Sequence, residues 1–236
     1  DVVPGRAEDE NRRVADTDGF IIGGVNVRRV EARNTPTVIN AVFNFRNFWD
    51  GRAQNEFNGV NEWGARDPNA RVLFAASPGQ LEEVRISLKN SSLASQAMQP
   101  VLSLTEMSGG AGTFVDVGEK FLSTRKADGK GRRCGSTSPP GALLPLRPLA
   151  KQVVAKDDSV LSGLSRYPQP GLNVPSYREL IEKAFKPEWW RSDRLVRVDD
   201  KGKRTLLPAG QGDLSQPGTY TMMEANFTLF FGLAVQ

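Results

Sequence analysis

The apolar residues of this chain fall into short periodic runs separated by long polar stretches rich in glycine and proline. After a charged start over residues 1–18, read as a solvated extension, Phe20 to Val30 alternates loosely and is rich in β-branched residues, which predicts a short strand or extended segment. Val38, Ile39, Val42 and Phe43 then recur at i, i+1, i+4 and i+5. With Thr35 as N-cap and Pro36 as first helical residue, they predict a short helix that stops at Asn44. Leu81 to Leu88 alternates at Val84, Ile86 and Leu88 and predicts a strand able to pair with Val72 to Phe74. Helices are predicted from Ser91 to Met98, capped by Ser91 or Ser92, and from Phe114 to Leu122 after the glycine-rich turn at 109–112. Leu143 to Val154 is periodic but interrupted by Pro145 and Pro148. Tyr177 to Phe185 places Leu180, Ile181, Ala184 and Phe185 on one helical face, and Pro187 ends it. Val196 to Leu207 predicts a hairpin around Lys201-Gly202, and Met223 to Gln236 a closing helix with Phe227, Phe230, Phe231 and Ala234 as its core face. The expected fold is mainly α with small β-hairpins and long loops. It forms one domain over 1–236, in which 55–90 and 125–176 are insertions or loops.

Composition narrows the class. At 236 residues with 39% hydrophobic and 25% charged residues, the chain reads as a soluble globular protein able to bury a core without staples. The net charge of +4 is spread along the sequence and makes no nucleic-acid footprint. No apolar run approaches the ~20 residues that span a bilayer, and DVVPGRAEDENRR lacks the apolar core of a signal peptide, so a mature or trimmed start is expected. The single cysteine, Cys134, lies in a basic stretch that would lower a thiol pKa, but the chain contains no histidine to complete a cysteine-protease pair. Gly109 to Gly112 lacks the Gly-Lys-Ser/Thr ending of a phosphate loop.

The candidate chemistry centres on residues 33–53, RNTPTVINAVFNFRNFWDGRA. Here the apolar stripe gives way to the aromatic pair Phe48-Trp49 and then to Asp50-Gly51-Arg52, a turn carrying both charge signs. The wording RN-x-P-T-x-x-N-A-V-F-N followed by F-W-D-G-R-A resembles the di-haem cytochrome c peroxidase family, including its larger branch of MauG-like and rubber-oxygenase-like proteins. Gln99-Pro100 followed by Thr105-Glu106-Met107 is similar to the family segment ending in Glu-Met, and MEANFTLFFGLAVQ is similar to the family helix leading toward the second haem motif. The resemblance implies a cytochrome-c-peroxidase-like peroxidatic domain. It implies Trp49 as electron relay between haems, Glu106 as the acid/base carboxylate, and Arg33 and Pro36 as shapers of the peroxidatic pocket, with Gln99 and Met107 beside the cofactor. A carboxylate in an apolar pocket, its pKa raised by desolvation, is suited to moving a proton between peroxide oxygens. Asn26 stands near the place where the family carries a displaceable distal histidine, which would leave that side open and the activity constitutive.

The departure from the family is equally specific. A c-type haem is attached through C-x-x-C-H, and one cysteine with no histidine cannot provide it. Met, Tyr or Lys ligation is not singled out by any feature. Haem c is therefore implied by resemblance only, and these residues read as the segment between the two haem motifs. Three readings follow: the central portion of a di-haem peroxidase-like oxidoreductase, with haem on other segments or another chain and an electron-donor cytochrome as possible partner; a haem-free structural or interaction subunit on the same fold; and an unrelated binding module with an aromatic groove of Trp63, Trp189 and Trp190. A periplasmic or extracellular location is implied by the family alone.

Overall fold

The structure, a computed structural model, describes residues 2–3, 10–11, 21–23, 25–26, 34–103, 106–107, 112–122, 147–150, 152–199 and 202–236. Within these, β1 (Val2–Val3) pairs antiparallel with β2 (Glu10–Asn11), and β3 (Ile21–Ile22) with β4 (Val25–Asn26). The hairpin expected further on is present as β5 (Val72–Phe74) and β6 (Glu82–Val84), with Leu73 opposite Glu83. α1 (Ser92–Val101) and α2 (Phe114–Leu122) follow, then α3 (Tyr177–Ala184). A three-stranded antiparallel sheet comes next, β7 (Val196–Val198) lying between β8 (Arg204–Leu206) and β9 (Thr219–Tyr220). The chain ends in α4 (Met222–Ala225) and α5 (Phe227–Val235).

Three helices start on the same device. Thr113, Ser176 and Thr221 each accept a hydrogen bond from the backbone N–H three residues on, and Asp116, Glu179 and Glu224 reach back to the cap amide. These reciprocal capping boxes satisfy two otherwise orphaned N–H groups per helix.

The core is built on the C-terminal helices. Phe227 and Phe230 pack with Val72, Val101, Leu122 and Met223, and Phe57, Ala94 and Met98 fill the space between α1 and α5. The close approach requires glycines. A Cβ on Gly232 would lie 2.6 and 2.8 Å from the Phe57 ring, and one on Gly118 of α2 would lie 2.7 Å from Phe227 Cβ. Asn226, between α4 and α5 and 1% exposed, joins the layers. Its Nδ2 donates to the carbonyls of Leu73 and Trp189, each at 2.8 Å, and its Oδ1 accepts from Leu73 N at 2.8 Å. The side-chain amide thus acts as a further strand on the edge of β5 that β6 leaves open. Arg204 of β8 donates to the carbonyls of Arg71 and Ala225 at 2.8 and 3.1 Å. Burial pushes its guanidinium pKa down, opposed by the charge of Glu83.

Several sequence expectations need correction. No α-helix forms over 35–43. Thr35 and Pro36 lie in a segment without regular structure, and only Ala41–Phe43 makes a single 3-10 turn after Asn40, whose φ is 60°. Val38, Ile39 and Phe43 are 62%, 77% and 83% exposed, so the stripe has no core to pack on. Thr37, Val38 and Ile39 are β-branched, and Thr37 Oγ1 accepts the Ile39 amide at 3.0 Å, a local bond that competes with the helix.

The fold is also less helical than expected. Its helices are short, and much of the described chain is in turns and irregular segments beside small antiparallel sheets. The stretch read as part of an insertion over 55–90 is tied into the core: Phe57 is fully buried and pairs both ways with the Leu88 backbone at 2.9 and 3.0 Å. On α3, Ile181 and Phe185 face the core together with Tyr177, whereas Leu180 and Ala184 are exposed. Trp189 packs edge-on against Phe74 at 5.1 Å and Trp190 Nε1 donates to Phe185 O, so both indoles anchor the core and form no free aromatic platform. Cys134, the basic stretch around it and the glycine turn at 109–111 lie outside the described residues.

Candidate functional site

The F-W-D-G-R-A stretch forms a tight, heavily bonded turn. Phe48 has φ 63° and Gly51 φ 66°, and Gly51 N donates to Phe48 O at 3.0 Å. A left-handed aromatic residue carries strain of order 1–3 kcal/mol and persists only when its surroundings hold it. The holding group is Arg52. Its NH1 donates to both Asp50 carboxylate oxygens at 2.9 and 2.8 Å, its Nε donates to Gln99 Oε1 at 2.9 Å, and its NH2 donates to the same oxygen. The guanidinium carbon stands 3.9 Å from the Phe48 ring centroid, a cation–π contact. The turn thereby presents Trp49 outward, 81% exposed.

The turn is pinned along α1. Near its start, Asn47 Nδ2 donates to Ala41 O and Ser92 Oγ at 3.2 and 3.1 Å, while Ser92 Oγ donates to Asn44 O at 2.5 Å. At the other end Gln99 takes Arg52. Ser92 and Gln99 are seven positions apart, hence on one face of α1. Gln96 lies between them on that face; it is 6% exposed, and its Oε1 has no hydrogen-bond partner among the described residues.

The helix then turns back on itself. Met107 N donates to Pro100 O at 3.1 Å and Glu106 N to Ser103 O at 3.4 Å, so Glu106 and Met107 sit in a corner beside Gln99. Both are exposed, Met107 by 59%. Among the described residues no apolar pocket encloses Glu106, whose side chain is exposed.

Of the sequence-predicted residues, Gln99 meets the Trp49 turn through Arg52, and Glu106 and Met107 share its corner. Pro36 is exposed in a segment without regular structure, Asn26 is a backbone partner of Ile21 in the β3–β4 hairpin, and Arg33 lies outside the described residues. Asn47 and Gln96 carry no mark in the sequence reading, and Arg52 stood there only as one charge of the Asp50-Gly51-Arg52 turn. For Arg52 the signal was present as a carboxylate two residues before a guanidinium in a glycine turn; for Gln96 it was a polar residue on the Ser92–Gln99 face. Exposed apolar side chains concentrate in the same part of the chain: Ile21, Ile22, Val38, Ile39, Phe43, Phe45 and Trp49. A cavity of about 220 Å³ lies elsewhere, between the 56–70 loop and residues 85–87, with Glu56, Asp67 and Arg85 in its wall.

A profile of the family described as di-haem cytochrome c peroxidase matches residues 9–127, which include the Trp49 turn, α1 and the Glu106 corner. The chain belongs to this family of haem-binding oxidoreductases. Comparison with curated proteins and with solved structures returns no match.

The residues present do not fit a covalently attached haem. One cysteine and no histidine supply neither the two thioethers nor the axial imidazole, and among the described residues no cluster of three or more His, Cys, Asp or Glu side chains could hold a metal ion. No helix among them is long and apolar enough to cross a membrane.

Proposed function

We propose that this chain is a portion of a di-haem cytochrome c peroxidase-like oxidoreductase, in the larger MauG-like branch, whose haem is carried by segments or chains other than these residues. The observation that carries the reading is Trp49: a large indole held 81% exposed by a strained, arginine-clamped turn within the family motif. Burying an aromatic side chain of that size is worth about 2–3 kcal/mol, so a turn that spends strain to keep it in solvent is built to meet a partner surface. Ile21, Ile22, Val38, Ile39, Phe43 and Phe45 are exposed as well. When bound, the haem supplies the redox chemistry. Trp49 offers an indole for electron passage by contact, and Glu106 is the carboxylate at the acid/base position that the family resemblance implies. A periplasmic or extracellular site and an electron-donor cytochrome as partner accord with this reading. The alternative is a haem-free structural or interaction subunit that uses the same exposed face, favoured by the absence of histidine.

The test is an absorption spectrum and an intact mass on protein purified from its native source. A Soret band, either with a mass well above 25.9 kDa or with a co-purifying haem chain, is the expected result. A haem-free sample at 25.9 kDa overturns the oxidoreductase reading in favour of the interaction subunit.

A further inference from the structure

We propose that Arg52 and Gln99 form a positioning bridge that sets the Trp49 indole and the Glu106–Met107 turn in fixed relation to each other. This deepens the reading above and rests on Trp49 and Glu106 acting together. Two exposed groups on separate turns are useful as a pair only if something rigid joins them, since each loosely held side chain keeps its rotamer freedom. The bridge has the required stiffness. Arg52 places NH1 on both oxygens of Asp50, Nε and NH2 on Gln99 Oε1, and its plane against Phe48. Phe48 and Asp50 are the residues on either side of Trp49, so the guanidinium holds the indole's backbone from both directions.

The other end is equally short. Gln99 adjoins Pro100, whose carbonyl accepts the amides of Ser103 and Met107 at 3.3 and 3.1 Å, and Ser103 O in turn accepts the amide of Glu106. The residues joined are 47 positions apart in sequence, and Arg52 is only 13% exposed in its side chain, so water competes weakly for the contact. A planar fork is needed to reach three surfaces at once, a geometry that lysine cannot reproduce. Arg52 and Gln99 are therefore positioning residues that act through Trp49 and Glu106.

The experiment uses the full chain labelled with 5-fluorotryptophan and with methyl-13C methionine, the Trp49 line assigned by Trp49→Phe and the Met107 line by Met107→Leu. Arg52→Gln is expected to move the Met107 methyl as well as the Trp49 fluorine line, and Gln99→Leu to move the Trp49 line, each by more than its linewidth. Gln99→Glu, which keeps an acceptor for both guanidinium N–H groups, is expected to restore wild-type positions. If each variant shifts only the probe on its own side of the bridge, the proposal is overturned. It is equally overturned if the Trp189 and Trp190 lines move with the others, which makes the pair part of the core and not a positioning device. None of these readouts requires haem, so a haem-free protein would refute the functional reading and leave this result standing.

Discussion

Asn226→Asp tests the side-chain amide that joins α5 to β5. The change is nearly isosteric, so it leaves packing alone and alters only the bonding. In the wild type, Nδ2 donates to Leu73 O and Trp189 O and Oδ1 accepts from Leu73 N, all at 2.8 Å in a site 1% exposed. The variant keeps the acceptor but turns the donor into an oxygen facing two carbonyl oxygens. Each buried carbonyl left unpaired costs about 1–3 kcal/mol, giving a loss of about 2–6 kcal/mol near pH 7 for the two. That is a large share of the roughly 5–15 kcal/mol that holds a typical domain.

The loss carries a pH signature. The introduced carboxyl is buried against acceptors, so its folded pKa rises above an unfolded value of about 3.9. A group raised in this way contributes stability below its unfolded pKa and loses it as pH climbs through the folded value. The deficit is therefore smallest near about pH 4 and widens toward about pH 7. Guanidinium chloride unfolding of both proteins at several pH values, followed by tryptophan fluorescence, measures it as a shift in midpoint at constant slope. A deficit under about 1 kcal/mol at neutral pH, or one that does not change with pH, would refute the reasoning.

Three further outcomes are expected. Gly232→Ala drives a methyl to 2.6 Å from the Phe57 ring and 3.3 Å from Met98 Cε and should cost about 1–3 kcal/mol in chemical unfolding, while Gly163→Ala, with nothing within 4 Å of the new atom, should stay within about 0.5 kcal/mol of wild type. Arg204→Met removes the donors to Arg71 O and Ala225 O and should cost about 2–4 kcal/mol by thermal or chemical unfolding; a neutral result would show that the burial of this cation offsets its bonds. The Ser176 hydroxyl and amide hold the Glu179 carboxylate below its usual 4.5, so the contribution of this cap is present above that value and fades as pH falls through the folded pKa. The protection of the α3 amides against hydrogen exchange, taken relative to their intrinsic rates at each pH, should fall on acidification below about pH 4.5, and Glu179→Gln should flatten that response.

How much could be read from the sequence differs from element to element. α2 spans the expected Phe114–Leu122, and α3 and the hairpin of β7 and β8 lie where apolar period, caps and the Lys201-Gly202 turn put them. The same local chemistry misled at 35–43, because a stripe of apolar residues predicts a helix only when another element covers it, and Val38, Ile39 and Phe43 face solvent. The motif wording alone identified the family and drew attention to Trp49 and Glu106.

Local signals determined what the chain can form by itself: helix starts, turns, strand alternation, and the absence of the ligands that would hold a haem. Those features depend on residues within a few positions of one another or on composition. The tertiary structure alone decided which side chains meet: Arg52 with Gln99, Asn226 with Leu73 and Trp189, Gly232 with Phe57. It also decided that Trp49 and Glu106 stand in solvent while Trp189 and Trp190, partly buried, pack against the core. Burial and pairing across tens of residues are properties of the packed whole, since a side chain is covered only by what the rest of the chain brings to it.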